Sequence, residues 1–189
     1  MTQLALSTSN FMDRAIELGA YEALWNGDSG TNVSFKSLAK KFEAAPNSIP
    51  SDFVSAAISR TYAAEVHARL IESGIKNYGI RVQGAGEYPD RLRDAEYPIA
   101  LLYYQGWWDL VNSPRSVAVV GTRNPTEDGL ARTRRLVKAL LADNFTIVSG
   151  LAKGVDTEAH TTAIREGGRT IAVIGTPLSQ AYPQVNAAL

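Results

Sequence analysis

The 189-residue sequence contains no cysteine, which removes disulfides, zinc–thiolate clusters and thiol nucleophiles and makes a reducing compartment, by default the cytoplasm, the expected setting. Its two histidines, His67 and His160, are far apart, so no metal-ligand constellation forms and a serine triad has few candidates. No metal, no cofactor and no catalytic set is expected. No apolar run approaches the roughly 18 residues that a membrane span requires, and the N-terminus lacks the basic start and apolar core of a signal peptide. A soluble protein without a membrane partner is expected. An excess of one charge is also missing: 19 basic side chains face 19 acidic ones. A polyanion would therefore have to be held by a local site and not by a global field. Absent too are G-x-G-x-x-G after any strand, G-x-x-x-x-G-K-[ST] and G-x-S-x-G, which leaves the dinucleotide, P-loop and hydrolase readings without their motifs.

The remaining composition, 45% hydrophobic and 20% charged, is that of an ordinary globular protein, long enough for one good-sized α/β domain or a small domain joined to a medium one. Charge is unevenly placed. Between Arg115 and Lys138, six cations (Arg115, Arg123, Arg132, Arg134, Arg135, Lys138) meet only Glu127 and Asp128, a pattern that fits a solvated basic helix face.

The first part reads as helical. "FMDRAIELGAYEALWNG" carries Phe11, Ala15, Ile16, Leu18, Ala20, Ala23 and Leu24 at helical spacings and stops at Asn26-Gly27. A short helix up to Phe42, a Pro/Asn turn at 46–50 and a longer helix opened by Ser51 or Asp52 and closed at Gly74 follow. The segment 34–60 fits a packing element or a small helical DNA-binding unit. The expected organisation is a helical region over 1–75 and a second domain over 76–189.

From "YGIRVQG" onward, β-rich runs are expected at 79–83, 99–104, 116–120, 145–148 and 169–174. The last three are continuous apolar runs, as in strands covered on both faces. Two helices lie between them. One follows Pro125, with Thr126 as N-cap, Glu127 and Asp128 in its first turn, and Leu130, Val137, Leu140 and Leu141 facing the sheet, and it ends near Asn144. The other starts beside Asp156 with Ala159, Ala163 and Ile164 inward and ends at Gly167-Gly168. This β-α-β-α-β alternation specifies a parallel sheet with flanking helices, a Rossmann-like α/β fold.

Ligands of such sheets bind beyond the carboxyl ends of the strands, where helix N-termini present free N–H groups. "SVAVVGTRNP" exits its strand at Gly121-Thr122-Arg123, and "FTIVSGLAKG" exits at Ser149-Gly150 with Lys153 and Gly154 at the helix entrance. Glycines allow close backbone approach or positive φ, Arg123 offers a fork suited to phosphate oxygens, and Lys153 offers a mobile charge. Asp156 is expected to cap the helix by accepting N–H bonds. His160, one turn on, fits a satisfied structural histidine or a ligand contact. Trp107 and Trp108 fit core and interface packing, or stacking on bases.

"VAVVGTRNPTEDG", "VSGLAKGVDTEAH", "GGRTIAVIGTPLSQAYPQVN" and, upstream, "GIRVQGAGEYPDRLRDAEYPIALLYYQG" resemble the DNA-processing protein A family, also called DprA or Smf, over about residues 75–189. The resemblance implies a Rossmann-like domain that binds single-stranded DNA without reacting with it and hands the strand to a RecA-type recombinase during transformation or recombination. It implies strand contacts at Gly121, Thr122, Arg123, Ser149, Gly150, Lys153 and Gly154, with Asp156 and His160 shaping the loop, and a homodimer. Thr122 stands where the family usually has serine. Members continue past the position of Leu189, so a divergent or C-terminally shortened member is expected. Two other readings share the fold: a sensor of a nucleotide or nucleotide-derived signal, and a phosphoribohydrolase, whose Pro-Gly-Gly-x-Gly-Thr-x-x-Glu loop is missing.

Overall fold

A computed structural model describes residues 12–27, 33–84, 88–93, 95–180 and 182–189. Phe11, expected on the first helix face, lies outside them. The chain divides into two compact units, one formed by residues up to Glu72 with Tyr78–Tyr103 and the other by Ser73–Asn77 with Tyr104–Leu189. The strands expected at 79–83 and 99–104 thus group with the helices and pair with each other, apart from the later sheet.

In the first unit, α1 (Arg14–Asn26) opens on Asp13, whose carboxylate accepts the Ala15 and Ile16 N–H groups, and stops at Gly27 with φ 61°. Ser34 caps α2 (Phe35–Glu43) by accepting the Ser37 N–H at 3.1 Å. The long helix begins later than expected. Pro50–Asp52 form a 3-10 turn, Asp52 accepting the Ile49 N–H at 2.9 Å, and α3 runs Ala56–Glu72 with Ser55 at its start. α1 and α3 approach so closely that a Cβ on Gly19 would overlap the Ser59 carbonyl. The Glu17 carboxylate, buried beside that contact, takes the Ser51 N–H at 3.0 Å and the Ser51 hydroxyl at 2.6 Å. β1 (Gly79–Val82) buries Ile80 and Val82, the short α4 (Asp90–Arg93) follows, and β2 (Leu101–Tyr104) completes the pair.

The second unit is the expected parallel sheet. β3 (Ser116–Ala118), β4 (Thr146–Ser149) and β5 (Thr170–Ala172) lie in the order β3-β4-β5, with Val117 beside Ile147 and Ile147 beside Thr170. α5 (Glu127–Ala142) and α6 (Val155–Arg165) connect them. Thr126 caps α5 through its hydroxyl, which accepts the Gly129 N–H at 3.1 Å. One core unites Val119 and Ile147 from the sheet side with Val137 of α5 and Ala159 and Ala163 of α6. Both helices therefore cover the same face, as right-handed crossovers between successive neighbouring strands require.

Two expectations are corrected here. Among the described residues the face away from the helices is only partly covered: Val148 and Ile171 are half-buried there, and Val120 and Val173, just past the ends of β3 and β5, are 71% and 63% exposed. Hydrophobicity of a short run does not say how many faces are covered, since that depends on which elements return to the sheet. Ile164 is 48% exposed and not inward. It lies about 100° around the helix from Ala163, and the inner stripe is completed by Asp156, Ala159 and His160.

Candidate functional site

Two strand exits, 121–123 after β3 and 150–154 after β4, meet at the start of α6. Gly154, at φ 91°, presses against the first loop: a Cβ there would overlap the Thr122 carbonyl and lie 2.8 Å from the Arg123 carbonyl oxygen. A Cβ on Gly121 would come within 2.7 Å of the Val155 side chain, and one on Gly150 within 2.9 Å of the Asp156 carboxylate. Close approach thus requires all three glycines. The Val155 N–H donates to the Thr122 carbonyl at 3.2 Å, fastening the first loop to the helix N-terminus. Gly121, Thr122, Arg123, Gly150, Lys153 and Gly154 are brought together by backbone contact.

The second loop is held from inside. Asp156 was expected to cap α6, but Gly154 occupies the cap position and Asp156 sits one residue into the helix. Its carboxylate reaches back to accept the Gly150 N–H at 3.1 Å and the Ala152 N–H at 3.4 Å. Leu151 adopts φ 59°, a left-handed conformation costing a branched residue on the order of 1–2 kcal/mol, which surrounding bonds must offset. Thr157 donates its hydroxyl to the Ala152 carbonyl at 2.7 Å, and Asn186, from the 3-10 turn Gln184–Asn186, donates to the Leu151 carbonyl at 2.9 Å. Asn186 and Thr157 were not among the residues expected at the site. The signal for Asn186 was the Tyr-Pro-x-x-Asn run, which reads as a turn until the fold returns it to the loop.

With these bonds made, the carbonyls of Leu151, Ala152 and Gly154 all accept hydrogen bonds. Among the described residues the N–H groups of Thr122, Arg123, Leu151, Lys153, Gly154 and Asp156 donate none. Donors without a partner and two exposed cations thus belong to loops that meet at one helix start, and a helix N-terminus favours an anion. Arg123 and Lys153 are exposed and make no ion pair among the described residues. The basic run on α5 differs. Arg132 pairs with Asp128 at 2.6 Å, Arg134 with Glu158 at 3.3 Å and Lys138 with Glu166 at 2.9 Å, so Glu158 on α6 and Glu166 at its C-terminal cap neutralise part of the excess counted along the sequence.

The placement of Ser149 departs from its expected role in strand contact, and that of His160 agrees with the structural reading of it. The Ser149 hydroxyl is buried and donates to the Val119 carbonyl at 2.7 Å, so its side chain ties β4 to the strand beside it and does not face the cleft. His160 is buried beneath the junction, its Nδ1 2.7 Å from the Thr170 hydroxyl. The same hydroxyl lies 3.1 Å from the Ile147 carbonyl, so it links the ring to β4. Burial pushes the histidine pKa below 6.5, opposed by the Asp156 carboxylate and the Ser149 carbonyl, and His160 is a neutral structural link. Trp107, read as a core or interface residue or as a base-stacking one, is 82% exposed and so not in the core, while Trp108 packs on Tyr104 with ring centroids 4.6 Å apart. Among the described residues no group of three His, Asp or Glu side chains is placed to hold a metal ion, and no helix is long and apolar enough to cross a membrane.

Comparison with known proteins agrees with this architecture. Residues 80–189 match the family described as DNA recombination-mediator protein A. Protein Smf of Synechocystis is 46% identical over 103 residues, 53% of this chain and 26% of that protein. DNA processing protein DprA of Streptococcus pneumoniae is 44% identical over 99 residues, 52% of this chain and 34% of that protein, and its Bacillus subtilis counterpart 36% identical over 121 residues, 64% and 40%. The chain thus spans about a third of the length of these relatives. The X-ray structure of the S. pneumoniae protein superposes over 94% of this chain and 58% of its own, with a TM-score of 0.56 and 28% identity, so the likeness extends into the N-terminal helices. A Helicobacter pylori DNA processing protein A, whose structure addresses its mode of binding single-stranded DNA, covers 58% of this chain and 48% of its own at a TM-score of 0.52 and 31% identity. The match over residues 80–189, more than half of the chain and the part that holds the parallel sheet and its glycine-lined exits, makes this chain a member of the DNA recombination-mediator protein A family.

Proposed function

We propose that this chain binds single-stranded DNA at the junction of the two strand exits and does not alter it chemically. Phosphates are held by Arg123, Lys153 and the free N–H groups of the 121–123 and 150–154 loops, with Gly121, Gly150 and Gly154 permitting the approach and Thr122 adding a hydroxyl. The observation that carries the reading is the backbone contact between Gly154 and the Thr122-Arg123 carbonyls, which sets two loops with unpaired cations and unpaired donors side by side. In the cell this activity serves recombination in the cytoplasm, the strand passing to a RecA-type recombinase, in keeping with the family's description.

Fluorescence titration of labelled single-stranded and duplex oligonucleotides tests the proposal. Affinity for the single strand should fall steeply with salt, because counterion release dominates phosphate binding. Arg123→Ala and Lys153→Ala should each weaken binding across sequences and lower the salt slope by about one. Unchanged affinity in both variants refutes the site. Saturable binding of a mononucleotide with no response to oligonucleotides would instead make the protein a nucleotide sensor.

A further inference from the structure

Asn186 is 3% exposed and lies far along the chain from the loop it touches. Its Nδ2 donates to the Leu151 carbonyl at 2.9 Å and to the Thr157 hydroxyl oxygen at 2.8 Å. The Thr157 hydroxyl has already given its proton to the Ala152 carbonyl, so it can only accept from Asn186. Both partners of the amide are acceptors, and this fixes which way the amide faces without reference to the assignment of its oxygen and nitrogen. A carboxylate or an aliphatic group of the same shape would leave two buried acceptors unmet.

We infer that Asn186 is a positioning residue for strand binding: it locks the 150–154 loop with the Leu151 and Ala152 carbonyls engaged from within, leaving the Leu151, Lys153 and Gly154 N–H groups for a ligand. Leu151 takes a left-handed conformation that its side chain disfavours, and the bond to its carbonyl is one of the contacts that hold it there. Release of that bond lets the Leu151 peptide turn, which presents a carbonyl oxygen where a phosphate is to lie and moves Lys153, two residues on. Asn186 touches no nucleic acid in this account. The inference rests on the proposed binding site and adds to it the segment that sets its geometry.

The test is a double-mutant cycle in the full chain, read by oligothymidylate titration at several salt concentrations. Asn186→Leu should weaken binding about tenfold, the effect of an unmet buried hydrogen-bonding group. It should lower the salt slope by about one, as Lys153→Ala does. The double variant should bind little worse than either single one, because both remove the same phosphate contact. A general loss of stability would not produce that coupling. Additive losses, or an unchanged salt slope in folded Asn186→Leu, overturn the inference. Thr157→Val, which removes the hydroxyl that Asn186 shares with Ala152, should show the same coupling and decides the matter if Asn186→Leu does not fold. Full affinity in Lys153→Ala alone would be a failure of the binding site, distinguishable from a failure of the positioning role.

Discussion

The α1–α3 contact and the strand-exit junction both depend on glycine, and they use it for opposite ends. At Gly19 the missing side chain lets two helices close on each other, and the polar groups nearby are committed internally: Glu17 to Ser51, and Glu22 to the Tyr103 hydroxyl and to Arg69 at 3.7 Å. Burial raises the Tyr103 pKa far above its usual range, so its proton stays on that carboxylate bond. At Gly121, Gly150 and Gly154 the missing side chains let two loops close on a helix end, yet a row of N–H groups and two cations remain unused. Buried polar groups are ordinarily paired within the fold, as at Glu17, whereas the exposed donors and cations of the junction are left to solvent or to the proposed strand.

That contrast can be broken most forcefully at Gly19. Gly19→Val should cost about 3 kcal/mol or more, since helix backbones and not flexible side chains must move, and a denaturant midpoint close to wild type would show that the helices can separate freely. Glu17→Ala should cost about 2 kcal/mol through the unmet Ser51 N–H and hydroxyl, measured by chemical denaturation. Arg123→Ala and Lys153→Ala should leave the unfolding free energy within about 0.5 kcal/mol while weakening strand binding, because neither side chain supports the fold. A stability loss comparable to that of Glu17→Ala would erase the distinction drawn here.

The smallest effect expected is on pH dependence. His160 is held neutral in the fold, its pKa below 6.5, while in the unfolded chain it titrates near 6.5. Between those two values the unfolded state binds more protons, so stability rises with pH there. Stability should therefore decline as pH is lowered through 6.5 and level off below the folded value. His160→Gln should flatten that slope, whatever it does to the stability itself; a slope identical to wild type would mean that other groups set it.

Much of the architecture was legible in residue order. Thr126 before Glu127-Asp128 marked a helix start, Asn26-Gly27 a helix end, and three apolar runs separated by amphipathic segments marked a parallel sheet, because caps, turns and periodicity are local properties. The same locality misled at Asp156, whose acidic side chain at a helix start reads as a cap but reaches backward to the loop, and at Ser149, whose hydroxyl turns to the neighbouring strand. Trp107 shows the limit for burial: an aromatic beside a strand is not thereby in the core.

The sequence by itself determined the parallel α/β unit and the two glycine-bearing strand exits on which Arg123 and Lys153 lie, since each follows from side-chain type and short-range spacing. Only the tertiary structure decided that β1 and β2 join the helices, that Glu158 and Glu166 neutralise part of the basic run on α5, and that Asn186 returns to hold Leu151. Those facts depend on which distant segments meet, and a contact across long chain separation is set by how the whole core packs, which no window of residues contains.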